Sequence, residues 1–546
     1  MFVRVKKSGK REYLQIVDNR REGKKIKQRV IGTIGRMDEL RNKGSIESLI
    51  KSLSQYSEKV LLVLTGKSVP EAKTKKIGPA LIFDRIWEEL KINEIIRSLL
   101  EGRKYEFDVE RAIFVTVLHR ILRSGSDRSC DKWQKDYVIK GIEDLSLHHL
   151  YRAMAFIGEE ISDQKEATQY SPRCNKDLIE EGMFSERRDL FTGLSMVFFD
   201  TTSIYFEGIG GKNLGKKGHS KDHRPDLNQI VVGATIDDTG KPICCEIWPG
   251  NTADVKTLIP VVDRMKNRFN IAKFCIVADR GMISAETKEA LDNPTRSIPY
   301  ILGTRMRLIN EVKCDVLSRG GNYSEVYPES KFSKDPSPLK VKEVRVNGRR
   351  YIVCINTKQA RKDVADRKNI IESLKEHLKK DPKSLIGNKG YRKYLKIDRD
   401  SVFINEDKIN AESRFDGKWV LETNTNLTPA QVALKYKDLW QVEQIFRDIK
   451  SIFVTRPIFH RCNETIRGHV FCSFLALVLR KELDRRLEKN NLNFEWADVK
   501  HDLKALQEIV INDGDKQIAI RSQCVGSCGK IFQSVGVAVP PVIHEL

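Results

Sequence analysis

The 546 residues, 40% of them apolar and 32% charged, are too many and too apolar for a minimal scaffold or a disordered chain; several domains with ordinary cores are implied. Lys and Arg outnumber Asp and Glu by 97 to 75, a net charge of +22 that draws polyanions and puts DNA or RNA first among partners. The longest apolar run, residues 470–479, is far shorter than the ~20 residues that span a bilayer, so it reads as a core helix and no membrane partner is expected.

Residues 1–76 begin with charges where a secretory signal would need an apolar stretch, which points to a cytoplasm and to eleven cysteines kept as thiols. Cys524 and Cys528 form a CxxxC without a second pair at zinc-ribbon spacing, and His460, Cys462, His469 and Cys472 merely lie near the apolar run. Basic and apolar positions alternate through Phe2-Val3-Arg4-Val5 and Tyr13-Leu14-Gln15-Ile16-Val17, with Gly9 and Gly23 in turn-like settings; a small basic β-rich domain is expected. From 77 to 190 the period turns helical, with stripes Ile82, Ile86, Leu90 and Ala112, Val115, Leu118, Ile121. Arg120, Arg123, Arg128 and Lys132 flank Gly125, so a helix, turn and helix there would offer cations to a phosphate backbone or else form a solvated basic face.

Residues 191–309 read as the first part of an α/β core. Met196-Val197-Phe198-Phe199 is a buried strand stopped by Asp200-Thr201-Thr202; further strands are expected over 230–236, 243–248 and 274–278, and a helix capped by Ser284 over 284–291. Residues 310–425 read as a β-rich insertion. Asn347-Gly348 sits between two β-type runs, 341–346 and 349–356, and Asp416-Gly417 precedes Lys418-Trp419-Val420-Leu421. Between these hairpin signals, 358–380 reads as a charged helix, solvated rather than a contact surface. Residues 426–490 return to the core with a helix over 428–452, and 491–546 form a carboxy-terminal segment.

Asp200 and Asp279 each follow an apolar run, at the ends of strands that can lie side by side. Carboxylate oxygens suit hard divalent cations, and phosphoryl transfer uses two of them. Taken singly, either Asp is more often a strand-end or turn residue that accepts backbone N–H bonds. In the helix over 428–452, Tyr436, Glu443 and Lys450 recur every seven residues beside the apolar stripe Leu439, Val442, Phe446, Ile449. On periodicity alone, an ordinary amphipathic helix with Glu443 in an i,i+4 pair with Arg447 is the leading reading. The loop from Lys212 to Arg224 carries Lys212, Lys216, Lys217, Lys221 and Arg224 among glycines that let a backbone approach phosphate, so it reads as a DNA contact or a mobile basic loop. Asn251 and Asp254 read as partners of the two Asp or as turn residues.

The string Tyr436-Lys437-Asp438-Leu439-Trp440-Gln441-Val442-Glu443-Gln444-Ile445-Phe446-Arg447-Asp448-Ile449-Lys450 resembles the Tyr-x2-Arg-x3-Glu-x6-Lys signature of the DDE transposases of bacterial insertion sequences, in the insertion-sequence-four superfamily. The strings Phe199-Asp200-Thr201-Thr202, Gly218 to Gln229, Gly250 to Asp254 and Ala278 to Ile283 are similar to that family in the same order. The resemblance implies a ribonuclease-H-like catalytic domain with a β-rich insertion, alongside helical DNA-binding and amino-terminal β-rich domains. It also implies that Asp200, Asp279 and Glu443 bind Mg²⁺, with Mn²⁺ able to substitute, and that Tyr436 and Lys450 contact transposon-end phosphates. Leu439 stands where the signature has Arg, so a phosphate contact is either missing or moved to Arg447. The partners implied are transposon inverted-repeat ends and target DNA, engaged by a homodimer in a synaptic complex at the bacterial or archaeal nucleoid. Two other readings are a non-catalytic DNA-binding descendant of such an enzyme and a ribonuclease-H-like structure-specific nuclease.

Overall fold

The computed structural model describes residues 2–22, 25–42, 45–54, 72–165, 167, 171–187, 195–271, 273–294, 296–328, 337–380, 393–398, 401–452, 455–513 and 516–545; Gly23, expected in a turn, lies outside them. The chain divides into two compact units, Met1–Thr74 with Glu508–Arg521 and Pro541–Leu546, and Lys75–Gln507 with Ser522–Pro540.

In the first unit β1 (Phe2–Ser8), β2 (Arg11–Glu22) and β3 (Lys25–Arg36) form an antiparallel sheet in that order, built from the alternating β-type residues of the sequence. Gly9, at φ +60°, turns β1 into β2 so that Ser8 faces Arg11. The helices Met37–Asn42 and Ser45–Ser54 follow, and β4 (Ala72–Lys76) leads out of the unit.

The second unit opens with the helices Gly78–Glu89, Ile92–Leu99, Val109–Leu122, Asp127–Trp133, Leu147–Gly158 and Asn175–Arg187. Val109–Leu122 is capped by Asp108, whose side chain accepts from Arg111 N at 3.0 Å, and all its residues are buried. Its neighbour Asn463–Lys489, which holds the long apolar run, crosses Leu147–Gly158 at backbone contact: a methyl at Gly468 would lie 2.0 Å from Met154 O, and one at Gly158 2.0 Å from Glu464 O. Only glycine allows that approach. Among the described residues no helix is long and apolar enough to cross a membrane.

Against this bundle stands a nine-stranded mixed sheet. Its strands are β5 (Met196–Tyr205), β6 (Gln229–Asp237), β7 (Pro242–Pro249), β8 (Cys275–Ala278), β9 (Tyr300–Gly303), β10 (Ser324–Val326), β11 (Leu339–Val346), β12 (Arg349–Asn356) and, after a separate hairpin of β13 (Leu395–Asp398) and β14 (Ser401–Ile404), β15 (Lys418–Thr423). The order across it is β10-β11-β12-β15-β9-β8-β5-β6-β7. Asn347 and Gly348, at φ +49° and +74°, close the β11–β12 hairpin with Val346 opposite Arg349, as Asn-Gly chemistry dictates. The Asp416-Gly417 turn instead launches β15 out of the helix Glu406–Ser413; β15 pairs with β12 and β9, so the segment read as an insertion continues the central sheet. The charged run is the helix Thr357–Lys380. The helix Trp496–Ala505 leads into β16 (Gln507–Asp513) and β17 (Lys516–Arg521), and the helix Cys528–Val535 precedes β18 (Ile543–Glu545); these strands form a further sheet with β4, in the order β18-β17-β16-β4.

Candidate active site

The register of two parallel strands sets the first two carboxylates together. β5 pairs with β8 so that Phe199 lies beside Ala278; Asp200 is the next residue of β5, and Asp279 is the first residue beyond β8. β8 ends there, but β5 does not stop at Asp200 as its apolar run suggested. Asp200 to Tyr205 stay hydrogen-bonded to β6, and this ladder carries the polar residues Asp200-Thr201-Thr202-Ser203 through the middle of the sheet. Alternation then chooses the face: Val197 and Phe199 pack with Ile276 and Ala278 on one side, so Asp200 and Asp279 share the other side with Phe198 and Val277.

That side is covered by the segment carrying Glu443. It is not the single helix expected over 428–452. A first helix, Pro429–Lys437, is capped by Thr428 and Gln431; the hydrogen bonds then tighten to i→i−3 at Leu439 N→Tyr436 O (3.1 Å) and Val442 N→Leu439 O (3.0 Å) before Trp440–Arg447 resumes. A wider turn, Asp448–Ile452, follows. Each irregularity changes the rotation per residue along the segment that carries Tyr436, Glu443 and Lys450. The tightening also carries Leu439, which is 7% exposed, into the core with Val442, Ile445 and Phe446, where a signature Arg would have to bury its charge.

Asp200, Asp279, Tyr436, Leu439 and Glu443 nevertheless line one cleft, together with Gly303 and Trp419. Asp200 is 19% exposed at its side chain, and burial pushes its carboxyl up to about 7. Asp279 and Asp254 push the same way, while Lys221 opposes them. Glu443 is exposed at the rim, and the three oxygens are not gathered within 4.8 Å of one another. Lys221, read as a DNA contact, is an exposed residue whose ammonium is nevertheless bonded to the site. Its ammonium donates to Thr201 O at 2.7 Å and Thr201 Oγ1 at 2.9 Å, and lies 3.3 Å from Asp254 and 3.9 Å from Asp200. Thr201 Oγ1 in turn donates to Asp254 Oδ1 at 2.8 Å, so Asp254 is a fourth carboxylate of the site, tied to the strand rather than to a loop turn.

Two residues read as phosphate contacts also meet carboxylates. Tyr436 Oη donates to Asp279 Oδ1 at 2.9 Å, and Lys450 Nζ donates to Asp222 Oδ1 at 2.8 Å, an oxygen that also takes Arg456. Asp222 is the one acid in the basic loop, and nothing in its local pattern revealed that it closes onto residues more than two hundred positions away. Lys212, Lys216, Lys217 and Arg447 are exposed, while Arg224 is exposed but bonded to Asp226 at 2.9 Å.

The helix–turn–helix cations separate likewise. Arg123, Arg128 and Lys132 are exposed, but Arg120 is 2% exposed and bonds Ser473 Oγ at 2.7 Å and His469 Nδ1 at 3.0 Å. Among the described residues, Asp127, His460 and His469 are the one His/Cys/Asp/Glu threesome whose ligand atoms lie within 4.8 Å. His460 Nε2 is 3.2 Å from both Asp127 Oδ2 and His469 Nδ1, and His469 Nε2 is 3.1 Å from Thr455 O. Burial holds His469 well below the usual histidine range; against burial, the bond from His460 and the charge of Arg120 hold Asp127 down at about 2. Arg120 thus already supplies the positive charge of this network, and a dication would meet its guanidinium.

Residues 192–479 match the family model described as the transposase DDE domain, and residues 3–65 match that of the IS1634 family transposase, N-terminal domain. No curated protein matches the chain. Among solved structures it is similar to a piggyBac transposase synaptic complex with hairpin DNA, determined by cryo-EM, at 9% identity and a TM-score of 0.37 over 78% of this chain and 80% of that one.

Proposed function

The chain belongs to the DDE transposases, whose domain matches over half of its length, and is a DNA transposase; on that premise we propose that Asp200, Asp279 and Glu443 hold divalent cations, Mg²⁺ or Mn²⁺, for cleavage at the transposon ends and strand transfer into target DNA. The observation that carries this reading is the register of β5 against β8, which sets two carboxylates on adjacent strands beneath the helix bearing Glu443. The donor set fits a hard cation: all three ligands are carboxylates, and Asp200 is a half-buried acid pushed up to about 7 despite the ammonium of Lys221.

When bound, a pair of such ions activates the attacking water or 3′-hydroxyl and steadies the leaving oxygen. The chain's own groups do the rest. The strands fix Asp200 and Asp279, Thr201 and Lys221 fix Asp254 beside them, and the exposed Glu443 reaches inward by a change of side-chain rotamer. Lys212, Lys216, Lys217 and Arg447 attract the phosphates, and two such subunits bring paired inverted-repeat ends together. Membership of the insertion-sequence-four superfamily is supported by the spacing of Tyr436, Glu443 and Lys450. The family match favours neither a non-catalytic DNA-binding descendant nor a structure-specific nuclease.

Asp200→Ala is expected to abolish Mg²⁺-dependent nicking of end DNA while end binding persists in a gel-shift assay. Cleavage at the wild-type rate by that variant, with metal-stripped controls silent, would remove Asp200 from the site.

A further inference from the structure

Gly303 ends β9, the neighbour of β8, at a point where the sheet backbone has no room for a side chain. A methyl there would lie 2.3 Å from Tyr436 Oη, 3.0 Å from its Cζ and 3.2 Å from Arg280 N. The space is taken by a phenol whose ring packs against the main core and whose hydroxyl donates to Asp279 Oδ1. Asp279 has just left β8 and enters the short turn Arg280–Met282, held by Met282 N→Asp279 O at 3.1 Å. Its backbone is therefore fixed, and the remaining freedom is rotation of the carboxylate.

Resting on the reading of Asp279 as a metal ligand, we propose that Tyr436 is a positioning residue for the cation site, its hydroxyl locking the Asp279 carboxylate through Oδ1 and leaving Oδ2 to the ion, with Gly303 clearing the way. A phenol has one proton to donate, and a phosphate oxygen only accepts. While Tyr436 gives its proton to Asp279 it cannot also give it to a transposon-end phosphate, so the two roles exclude each other. Partners that orient a ligand typically change metal affinity 10–100-fold when removed, which sets the scale of the effect.

The test uses the full-length protein, with Mn²⁺ as the probe, followed by electron paramagnetic resonance, and end-DNA affinity measured separately in EDTA. Tyr436→Phe is expected to weaken Mn²⁺ binding about 10–100-fold with end-DNA affinity and melting temperature unchanged. Gly303→Ala, which pushes the hydroxyl aside while keeping it, is expected to show the same loss, and the double variant to be no weaker than either single one, because all three break one bond. If Gly303→Ala does not fold, Tyr436→Phe decides alone. Wild-type Mn²⁺ affinity in Tyr436→Phe, alongside weaker end binding or a lower melting temperature, would make Tyr436 a phosphate contact or a packing residue and overturn the proposal. Asp279→Asn separates the two layers: if it too keeps wild-type Mn²⁺ affinity, Asp279 is no ligand and both readings fall, whereas its loss with Tyr436→Phe unaffected sinks only the positioning role.

Discussion

Asp222 shows what a single side chain contributes here, because its carboxylate, 5% exposed, answers two cations: Lys450 at 2.8 Å, itself 11% exposed, and Arg456, which is 31% exposed. Removing the acid strands a buried ammonium and a half-buried guanidinium side by side, while removing Lys450 leaves Asp222 with Arg456. Breaking a buried pair in this way costs about 3–5 kcal/mol, most of it the desolvation of the charge left behind. Asp222→Ala is therefore expected to lower the unfolding temperature of the second unit by more than Lys450→Met does, as read by calorimetry. The reverse order would mean that Lys450, and not the acid, is the group whose charge the pair neutralises. The same geometry revises the reading of Lys450 as a phosphate contact: to reach DNA it must first leave Asp222.

At the scale of elements, the helix Asn175–Arg187 is pinned to β7 and to the helix Leu258–Asn267 by buried charges. Glu180 Oε1 accepts from Cys245 N at 2.8 Å, Lys176 Nζ donates to Cys245 O at 2.8 Å, and Arg268, the residue just past the second helix, lies 3.1 Å from Asp177. Burial, with the charge of Asp177 added and that of Lys176 opposing, pushes Glu180 up to about 7. Because the folded value lies above the unfolded one, its stabilising contribution is complete below the ordinary carboxyl range near 4.5 and is lost as pH rises through about 7. Glu180→Gln keeps the bond from Cys245 and cannot ionise, so it is expected to melt higher than wild type at pH 8 and to match it near pH 4.5. Equal melting temperatures at both pH values would show that Glu180 titrates in the folded protein as it does in the unfolded chain. Local pattern foresaw much of this level: the Asn-Gly hairpin, the Ser284 cap and the strands of the core all depend on residues within a few positions of one another. Asp200 and Asp279 were legible for the same reason, as polar residues following apolar runs. What stayed hidden depends on closure in three dimensions. The ladder to β6 carries β5 past Asp200, and β15 joins two strands distant in sequence. Thr201, Lys221 and Asp254 meet only because loops fold onto a sheet. The break at Asp438 and Leu439 was hidden too, since an apolar stripe at helical spacing looks the same whether the helix is continuous or tightened.

Across the whole molecule the net charge of +22 is a statement about affinity for DNA, and the structure divides the basic loop into cations that serve that affinity and cations that do not. Lys212, Lys216 and Lys217 are exposed; Lys221 is held by Thr201 and Asp254, and Arg224 by Asp226. A lysine on a phosphate releases condensed counter-ions, so the slope of log affinity against log salt falls by about 0.9 for each contact removed from duplex DNA. Replacing Lys212, Lys216 and Lys217 together by Gln is expected to flatten that slope for end DNA by an amount that counts how many of the three touch phosphate, in anisotropy titrations run in EDTA. Lys221→Gln, by contrast, is expected to leave the slope as it is, because that ammonium neutralises carboxylates of the site. Should the triple variant keep the wild-type slope and Lys221→Gln lose it, the inward and outward assignments would be exchanged, and the field that gathers DNA would be centred in the cleft rather than on the loop above it.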